Sequence, residues 1–312
     1  MDKTEDKDFS YRITVEVESM IKQEYKRYLI SKGNIIFLAA SIIPVVMSYY
    51  STWLQKMDWI TQYHNPDDDV SSAEDFLTIA KGYNCFTYLS DFLFSADFMI
   101  YFLWILLIGF TAVSGTMLVR HRRDGYGNML VPRMGFRSYL KDMVIAQNLY
   151  ILTVMSIYFF VLVGVTFVIF PPTENEYFVT TITFYNDTKV MPLLLQLAKQ
   201  YLVIMVYVVL VMNITMLSGN VIRNCYIVQF LPVIIYLLPA LIQSPIETFY
   251  YPLAEKLLII SPNIYLFSYY TLFVKEQSTL QAILSFVVLP AIFLIVILML
   301  WKSCDKLERA YV

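Results

Sequence analysis

The stretch RHRRDGYGNMLVPRMGFRSYLK, residues 120–141, separates two long apolar runs and decides how this chain folds. Six of its residues are Arg or Lys, and four are Gly or Pro. Such a segment is typical of a water-exposed surface. The runs on either side are long enough to cross a bilayer as helices, which takes about 20 residues. The stretch is therefore predicted to be a polar loop between two transmembrane helices.

The composition places the whole chain among membrane proteins. Of its 312 residues, 58% are hydrophobic and 15% are charged, and the mean hydropathy is +0.58. Soluble domains are about half apolar and a quarter charged. The sequence has no arginine-rich aromatic face of the kind that RNA-binding proteins use, so we expect no nucleic-acid partner. The expected surrounding is the lipid bilayer.

Six apolar blocks have the length of a bilayer-crossing helix. We call them span one to span six, and they lie at residues 33–53, 97–119, 143–170, 197–218, 226–244 and 281–301. No cleavable signal pattern precedes span one, which is therefore predicted to be the signal anchor. We expect a single all-α polytopic membrane domain over residues 1–312, with a cytoplasmic interfacial helix (1–32), a six-span core (33–301) and a cytoplasmic tail (302–312).

Basic residues decide the expected orientation, because Lys and Arg are enriched in cytoplasmic loops. With the N-terminus inside, most of the 23 Lys and Arg residues fall in inner segments. Both termini are therefore predicted to be cytoplasmic. We expect a multi-pass protein of the plasma membrane, in a bacterial cell.

Three segments outside the spans have a recognisable character. In residues 17–29, apolar and charged side chains fall on opposite faces of a helix, which predicts an amphipathic helix on the inner membrane surface. This helix is either a simple anchor or part of a coupling device. Residues 54–96 read as an acidic outer loop. Residues 245–280 are too apolar for a free loop but are interrupted by prolines, which favours a re-entrant outer hairpin between spans five and six.

Motifs for catalysis and cofactor binding are missing from the sequence. There is no phosphate-binding G-x-x-x-x-G-K-[ST] loop, no nucleophile elbow and no H-E-x-x-H. With two His and three distant cysteines, Cys85, Cys225 and Cys304, we expect neither a metal site nor a disulfide. Titratable residues at membrane depth, which ion-coupled carriers need, are scarce. The driving force is therefore expected from a separate protein, and an ion-coupled secondary transporter is the alternative.

The polar loop also carries apolar residues that membrane topology does not require. Asp124-Gly125 and Gly127 predict a turn, and Pro132 and Gly135 predict a second interruption. Between these breaks we expect one helical turn over residues 128–131. The apolar residues predicted to face the cytosol are Met129, Leu130, Val131, Met134 and Phe136.

On these features the chain resembles the six-helix permease subunits of type-2 ABC transporters, which are mostly exporters. In that family a coupling segment between spans two and three has an acidic-Gly pair, a Pro, an Arg and a Lys, and Asp124-Gly125, Pro132, Arg137 and Lys141 follow that order. Ser261-Pro262-Asn263-Ile264-Tyr265 is similar to the "SP-x-x-Y" stretch of the family's hairpin. Tyr126-Gly127 and the long acidic outer loop depart from the family pattern.

The resemblance implies a non-catalytic subunit that pairs with a second permease, identical or paralogous, and docks on cytoplasmic ABC ATPase subunits. ATP and Mg would bind those ATPases, and no cofactor is expected in this chain. The coupling residues that it implies are Arg122, Arg123, Asp124, Gly125, Met129, Leu130, Pro132, Arg133, Phe136 and Arg137.

Span five carries polar and helix-breaking residues on one face. Gln229, Pro232, Tyr236, Pro239 and Gln243 stand at i, i+3, i+7, i+10 and i+14. Glutamines would lack partners in lipid, so this stripe is predicted to face a wet cavity or a tightly packed helix seam.

The resemblance implies that spans two and five line the translocation path, to which span two would contribute Thr111 and Ser114. A path so poor in charge favours a hydrophobic or amphipathic substrate, such as an antimicrobial peptide, a lipid or a drug.

Overall fold

The computed structural model describes residues 20–64, 80–94, 96–170, 190–249, 258–269 and 280–308. These residues form helices and short turns, and no strand occurs among them. In chain order the elements are α1 (20–30), α2 (Lys32–His64), α3 (Cys85–Phe94), α4 (Ala96–Phe110), a π-helical turn (Thr111–Gly115), α5 (Met117–Arg123), α6 (Tyr126–Met134), α7 (Phe136–Ile169), α8 (Val190–Ser218), α9 (Cys225–Phe249), a 3₁₀ turn (Leu258–Ile260), α10 (Pro262–Tyr269) and α11 (Leu280–Glu308).

Five helical segments are long and apolar enough to cross a bilayer, and they match predicted spans one, two, three, four and six. They are Lys32–Thr61, Phe98–Arg123, Phe136–Ile169, Leu194–Ser218 and Ala282–Cys304. The described part of the chain thus has the architecture of an all-α polytopic membrane protein. Helix α9 covers predicted span five, and the structure describes its side chains continuously over Cys225–Pro239. Span five as a membrane-crossing helix stays a prediction.

Spans two and four form the centre of the helix assembly. Most of the residues in their apolar windows are buried, whereas in spans one, three and six only a minority are. The exposed side chains of the outer spans include Phe160 and Val168, which are 73% and 83% exposed. Such apolar surfaces suit contact with lipid.

Spans one and two are in close contact at Gly109. The ring of Phe37 lies so near that a Cβ built on Gly109 would be 2.2 Å from Cγ of Phe37. Phe37 also packs edge-on against Phe110, with ring centroids 5.1 Å apart. The two helices approach this closely because position 109 has no side chain.

The prediction of a loop over residues 54–96 is wrong at both of its ends. The helix of span one continues to His64, and α3 is a ten-residue helix in which every side chain is buried. Thr52 of α2 donates a hydrogen bond of 3.0 Å to the carboxylate of Asp91 in α3. An apolar run of this length cannot cross a bilayer, so hydropathy alone did not identify it as a buried helix. The acidic residues 67–69 and 74–75 lie outside the described residues.

The segment between α9 and α11 folds back onto the spans. Helix α10 packs against α8 and α11. Its first residue is Pro262, at the position where a missing N–H costs nothing. The side-chain amide of Gln200 in α8 donates to the carbonyl of Leu266, 2.9 Å away. Re-entry of this segment into the bilayer stays a prediction.

The N-terminal helix α1 packs against the transmembrane helices, so it is more than the membrane-surface anchor that the sequence predicts. Met20, Glu24 and Tyr28 are buried at intervals of four residues. The Tyr25 hydroxyl donates to Thr153 of α7, 3.1 Å away. The predicted amphipathic helix is therefore present over residues 20–30, with one face on span three. Residues 17–19 of that prediction lie outside the described residues.

Candidate coupling surface and transport path

The loop between spans two and three folds as the nine-residue helix α6 between two glycines in unusual conformations. Gly125 has φ 74° and lies in the left-handed region, and Gly135 has φ 79° with ψ 146°. L-residues with a side chain rarely adopt either conformation. The predicted turn at Asp124-Gly125 is confirmed. The predicted break at Pro132 is wrong, because α6 continues through it to Met134.

One face of α6 is exposed and combines apolar with basic groups. The Met129 side chain is 69% exposed, and Pro132 and Arg133 are exposed beside it in sequence. Just before α6, Arg123 and Asp124 form a surface ion pair of 3.3 Å. A prominent exposed methionine is typical of surfaces that bind another protein.

The opposite face of α6 and the first residue of α7 pack against the core, which corrects the prediction for four residues. Phe136 is 5% exposed, and Leu130, Val131 and Met134 are partly buried against the hydrophobic core. In α6, positions 127, 130, 131 and 134 share one helical face, and that face packs inwards. Met129 is the one of the five apolar residues that is fully exposed, as predicted.

A partly buried polar cluster joins α1 to the end of span two. Nη1 of Arg27 lies 3.1 Å from Nε2 of His121, and Nδ1 of His121 lies 2.7 Å from the hydroxyl of Tyr139. A guanidinium can only donate, so Nε2 is the acceptor and Nδ1 carries the proton that goes to Tyr139. This arrangement holds His121 in its neutral form.

Glu24 completes the cluster. Its Oε1 lies 3.7 Å from Arg27 Nη1 and 3.8 Å from His121 Nε2. Burial raises the pKa of the Glu24 carboxyl above its ordinary value of 4.5, and the Arg27 guanidinium opposes that rise. Sequence reasoning missed both Glu24 and His121. The available signal was the spacing of Glu24, four residues from Met20 and from Tyr28 on one face.

Arg122 connects the same loop to spans four and six. Its guanidinium donates to the backbone carbonyl of Asn220 at 3.0 Å and to the side-chain oxygen of Asn220 at 3.4 Å. The Asn220 amide in turn lies 3.0 Å from Sγ of Cys304 in α11. Arg122 lies at the end of α5, which packs against α6, so these contacts join the neighbour of α6 to the ends of spans four and six.

The predicted stripe of span five lies partly in a helix seam. Pro232 and Tyr236 are buried. The Tyr236 ring packs edge-on against Trp104 of span two, with centroids 6.1 Å apart, and its hydroxyl donates to Asn263 of α10. Gln229 and Pro239 are half-buried. The Gln243 side chain lies outside the described residues.

Thr111 and Ser114 belong to the π-helical turn, and neither hydroxyl faces open space in this structure. Thr111 Oγ1 donates to the Leu107 carbonyl at 2.6 Å and lies 3.4 Å from Sδ of Met212 in span four. Ser114 Oγ donates to the Phe110 carbonyl at 3.0 Å. Their place on a translocation path stays a prediction. π-Helical turns are often found at functional sites.

Neither a metal-binding group nor a disulfide is found among the described residues. Among the described residues, no group of three or more His, Cys, Asp or Glu side chains is placed to hold a metal ion. Cys85, Cys225 and Cys304 form no disulfide with one another.

Comparison with known proteins returns no relative of this chain. No protein-family model matches it, and neither the search of curated proteins nor the search of solved structures finds a match. A functional assignment therefore rests on the residues and on their geometry.

Proposed function

We propose that the chain is the transmembrane permease subunit of an ATP-driven ABC exporter in a plasma membrane. It pairs with a second permease subunit and carries a hydrophobic or amphipathic substrate, such as an antimicrobial peptide, a lipid or a drug. Separate cytoplasmic ATPase subunits bind ATP and Mg and supply the energy. Both termini lie in the cytoplasm.

The observation that supports this proposal is the two-sided packing of α6. Its exposed face presents Met129 with Pro132 and Arg133, whereas its inner face is packed on the core. A partner that grips the exposed face can move the spans as rigid bodies, because the inner face does not slide freely. Rigid-body movement of packed helices is how domains alternate between two states.

Two sets of contacts would carry this movement beyond α6. Arg122 links the loop to the turn after span four through Asn220. On the other side, His121 links it to α1 through Arg27 and to span three through Tyr139. In this account α1 is part of the coupling device as well as a membrane anchor.

Co-expression with a candidate ATP-binding cassette subunit, such as one encoded in a neighbouring gene, tests the proposal. We expect the two chains to purify together and the complex to hydrolyse ATP and to transport substrate in vesicles. The permease alone is expected to do neither. Energised transport by the purified chain alone, driven by a proton or sodium gradient, would instead establish the ion-coupled alternative.

A further inference from the structure

Arg120 points back into span two instead of towards the headgroups. Its Nη2 donates a hydrogen bond of 3.0 Å to the carbonyl of Ala112 in the π-helical turn. The two residues are eight positions apart, which is roughly 12 Å along a helix axis. Basic side chains near the end of a span ordinarily extend outwards to water, as the 72% exposed Arg123 side chain does. The Arg120 side chain takes the opposite direction.

The Ala112 carbonyl is the one hydrogen-bond partner that the described residues provide for this guanidinium. An arginine has five N–H donors and stays protonated in proteins. In the described part of the chain, no Asp or Glu forms an ion pair with Arg120, and its side chain is half-buried. A permanent charge that is half-buried is unfavourable unless an anionic or strongly polar partner lies next to it.

The surface next to Arg120 is the exposed edge of an otherwise buried span. Tyr101 is 57% exposed, and the residues that follow it on the same helical face are partly exposed. They are Ile105, Ile108 and Ala112. Helix α9 contacts α4 and the π-helical turn, and exposes Phe230, Ile234 and Leu238. The apolar surface formed by span two and α9 thus ends at the guanidinium of Arg120.

Contact with lipid hydrocarbon alone is unfavourable for this surface, because the surface includes the charged Arg120. A charged group facing hydrocarbon is strongly unfavourable, and intramembrane arginines face a protein interior or a water-filled cavity. Spans one, three and six also expose apolar side chains, among them Ile43, Phe160 and Leu298. At the edge of span two, the guanidinium of Arg120 is turned back towards such an apolar surface.

We propose that Arg120 is a binding site for the oxyanion of an anionic amphiphile, whose apolar part lies along the exposed edge of span two and α9. A guanidinium presents a planar fork of donors that matches a phosphate or carboxylate group. This site implies that the substrate of the proposed permease carries a negative charge. The role of Arg120 in transport rests on that proposed function. The site lies near the predicted cytoplasmic end of span two.

Calorimetric titration with short amphiphiles of matched chain length tests the proposal. The purified chain is placed in phosphatidylcholine nanodiscs and titrated with n-octyl phosphate, octanoate or octylammonium, with empty nanodiscs as the blank. We expect the wild type to bind at least one of the two anions more tightly than the cation. The two anionic arms distinguish a phosphate site from a carboxylate site. In Arg120→Gln, affinity for the bound anion should fall about tenfold or more.

Arg123→Gln is the matched control, because it removes the same charge at the exposed end of the span. It should leave anion binding unchanged, and Arg120→Lys should restore part of the affinity lost in Arg120→Gln. Unchanged anion binding in Arg120→Gln would overturn the proposal, as would an equal loss in Arg123→Gln. Equal binding of octylammonium by the wild type would overturn it without any variant. No ATPase is present, so failure here leaves the permease assignment standing, and failure to bind an ATPase leaves the anion site standing.

Discussion

Met129→Asp is expected to uncouple the permease from its ATPase, with ATP-driven transport in the reconstituted complex lowered about tenfold or more. Met129 is 69% exposed, so the substitution should leave the fold of the chain intact. A carboxylate at an apolar contact loses the methionine packing and must be desolvated when the partner docks. Central apolar contacts of protein interfaces commonly contribute more than about 1 kcal/mol each, and a tenfold effect corresponds to about 1.4 kcal/mol.

The matched control for this variant is Met57→Asp. Met57 is also exposed but lies in α2 on the predicted outer side. It should retain transport at the wild-type rate, and both variants should have wild-type melting temperatures. Transport by Met129→Asp at the rate of Met57→Asp would show that α6 is not the docking surface.

The second large effect is expected for Gly109→Ala, which should lower the apparent melting temperature of the purified chain by several degrees. The added Cβ would lie 2.2 Å from Cγ and 2.6 Å from Cβ of Phe37. Spans one and two would have to separate or the Phe37 ring would have to leave its rotamer. Overpacking of this kind typically costs about 1–3 kcal/mol. The measurement is thermal unfolding in detergent, followed by tryptophan fluorescence.

Gly164→Ala is the control for the glycine substitution itself, because a Cβ at Gly164 meets nothing within 4 Å. Its melting temperature should equal that of the wild type. Adding Phe37→Leu to Gly109→Ala should recover part of the loss, since the clash involves the aromatic ring. Equal melting temperatures for Gly109→Ala and Gly164→Ala would contradict the close packing of spans one and two.

The long spans were predictable because a bilayer-crossing helix leaves a strong local signal. Spans one, two, three, four and six each contain enough consecutive apolar residues to be recognised without knowledge of their neighbours. Helix α3 has only ten residues, with Asp91 among them. Its burial depends on contacts with α2 and α7 that hydropathy does not report, as in the stacking of Tyr88 on Phe170.

In the loop, residue types indicated a coupling surface, but tertiary packing decided which residues form it. Leu130 and Phe136 are as apolar as Met129, yet they pack inwards on the core. The contacts of Arg120, Arg122 and His121 join groups 8, 98 and 94 positions apart in the chain. No local pattern encodes such pairs, so the network behind α6 became visible only in three dimensions.

Chemical cross-linking tests the central claim most directly, namely that a separate ATPase grips α6. Cysteine is introduced as Met129→Cys or, on the predicted outer side, as Val168→Cys, in a chain carrying Cys225→Ser, because Cys85 and Cys304 are buried. With a short bis-maleimide in membranes, we predict an adduct between the ATPase subunit and Met129→Cys, and none with Val168→Cys. Absence of an adduct at position 129 in a complex that still hydrolyses ATP, or equal adducts at both positions, would contradict the account.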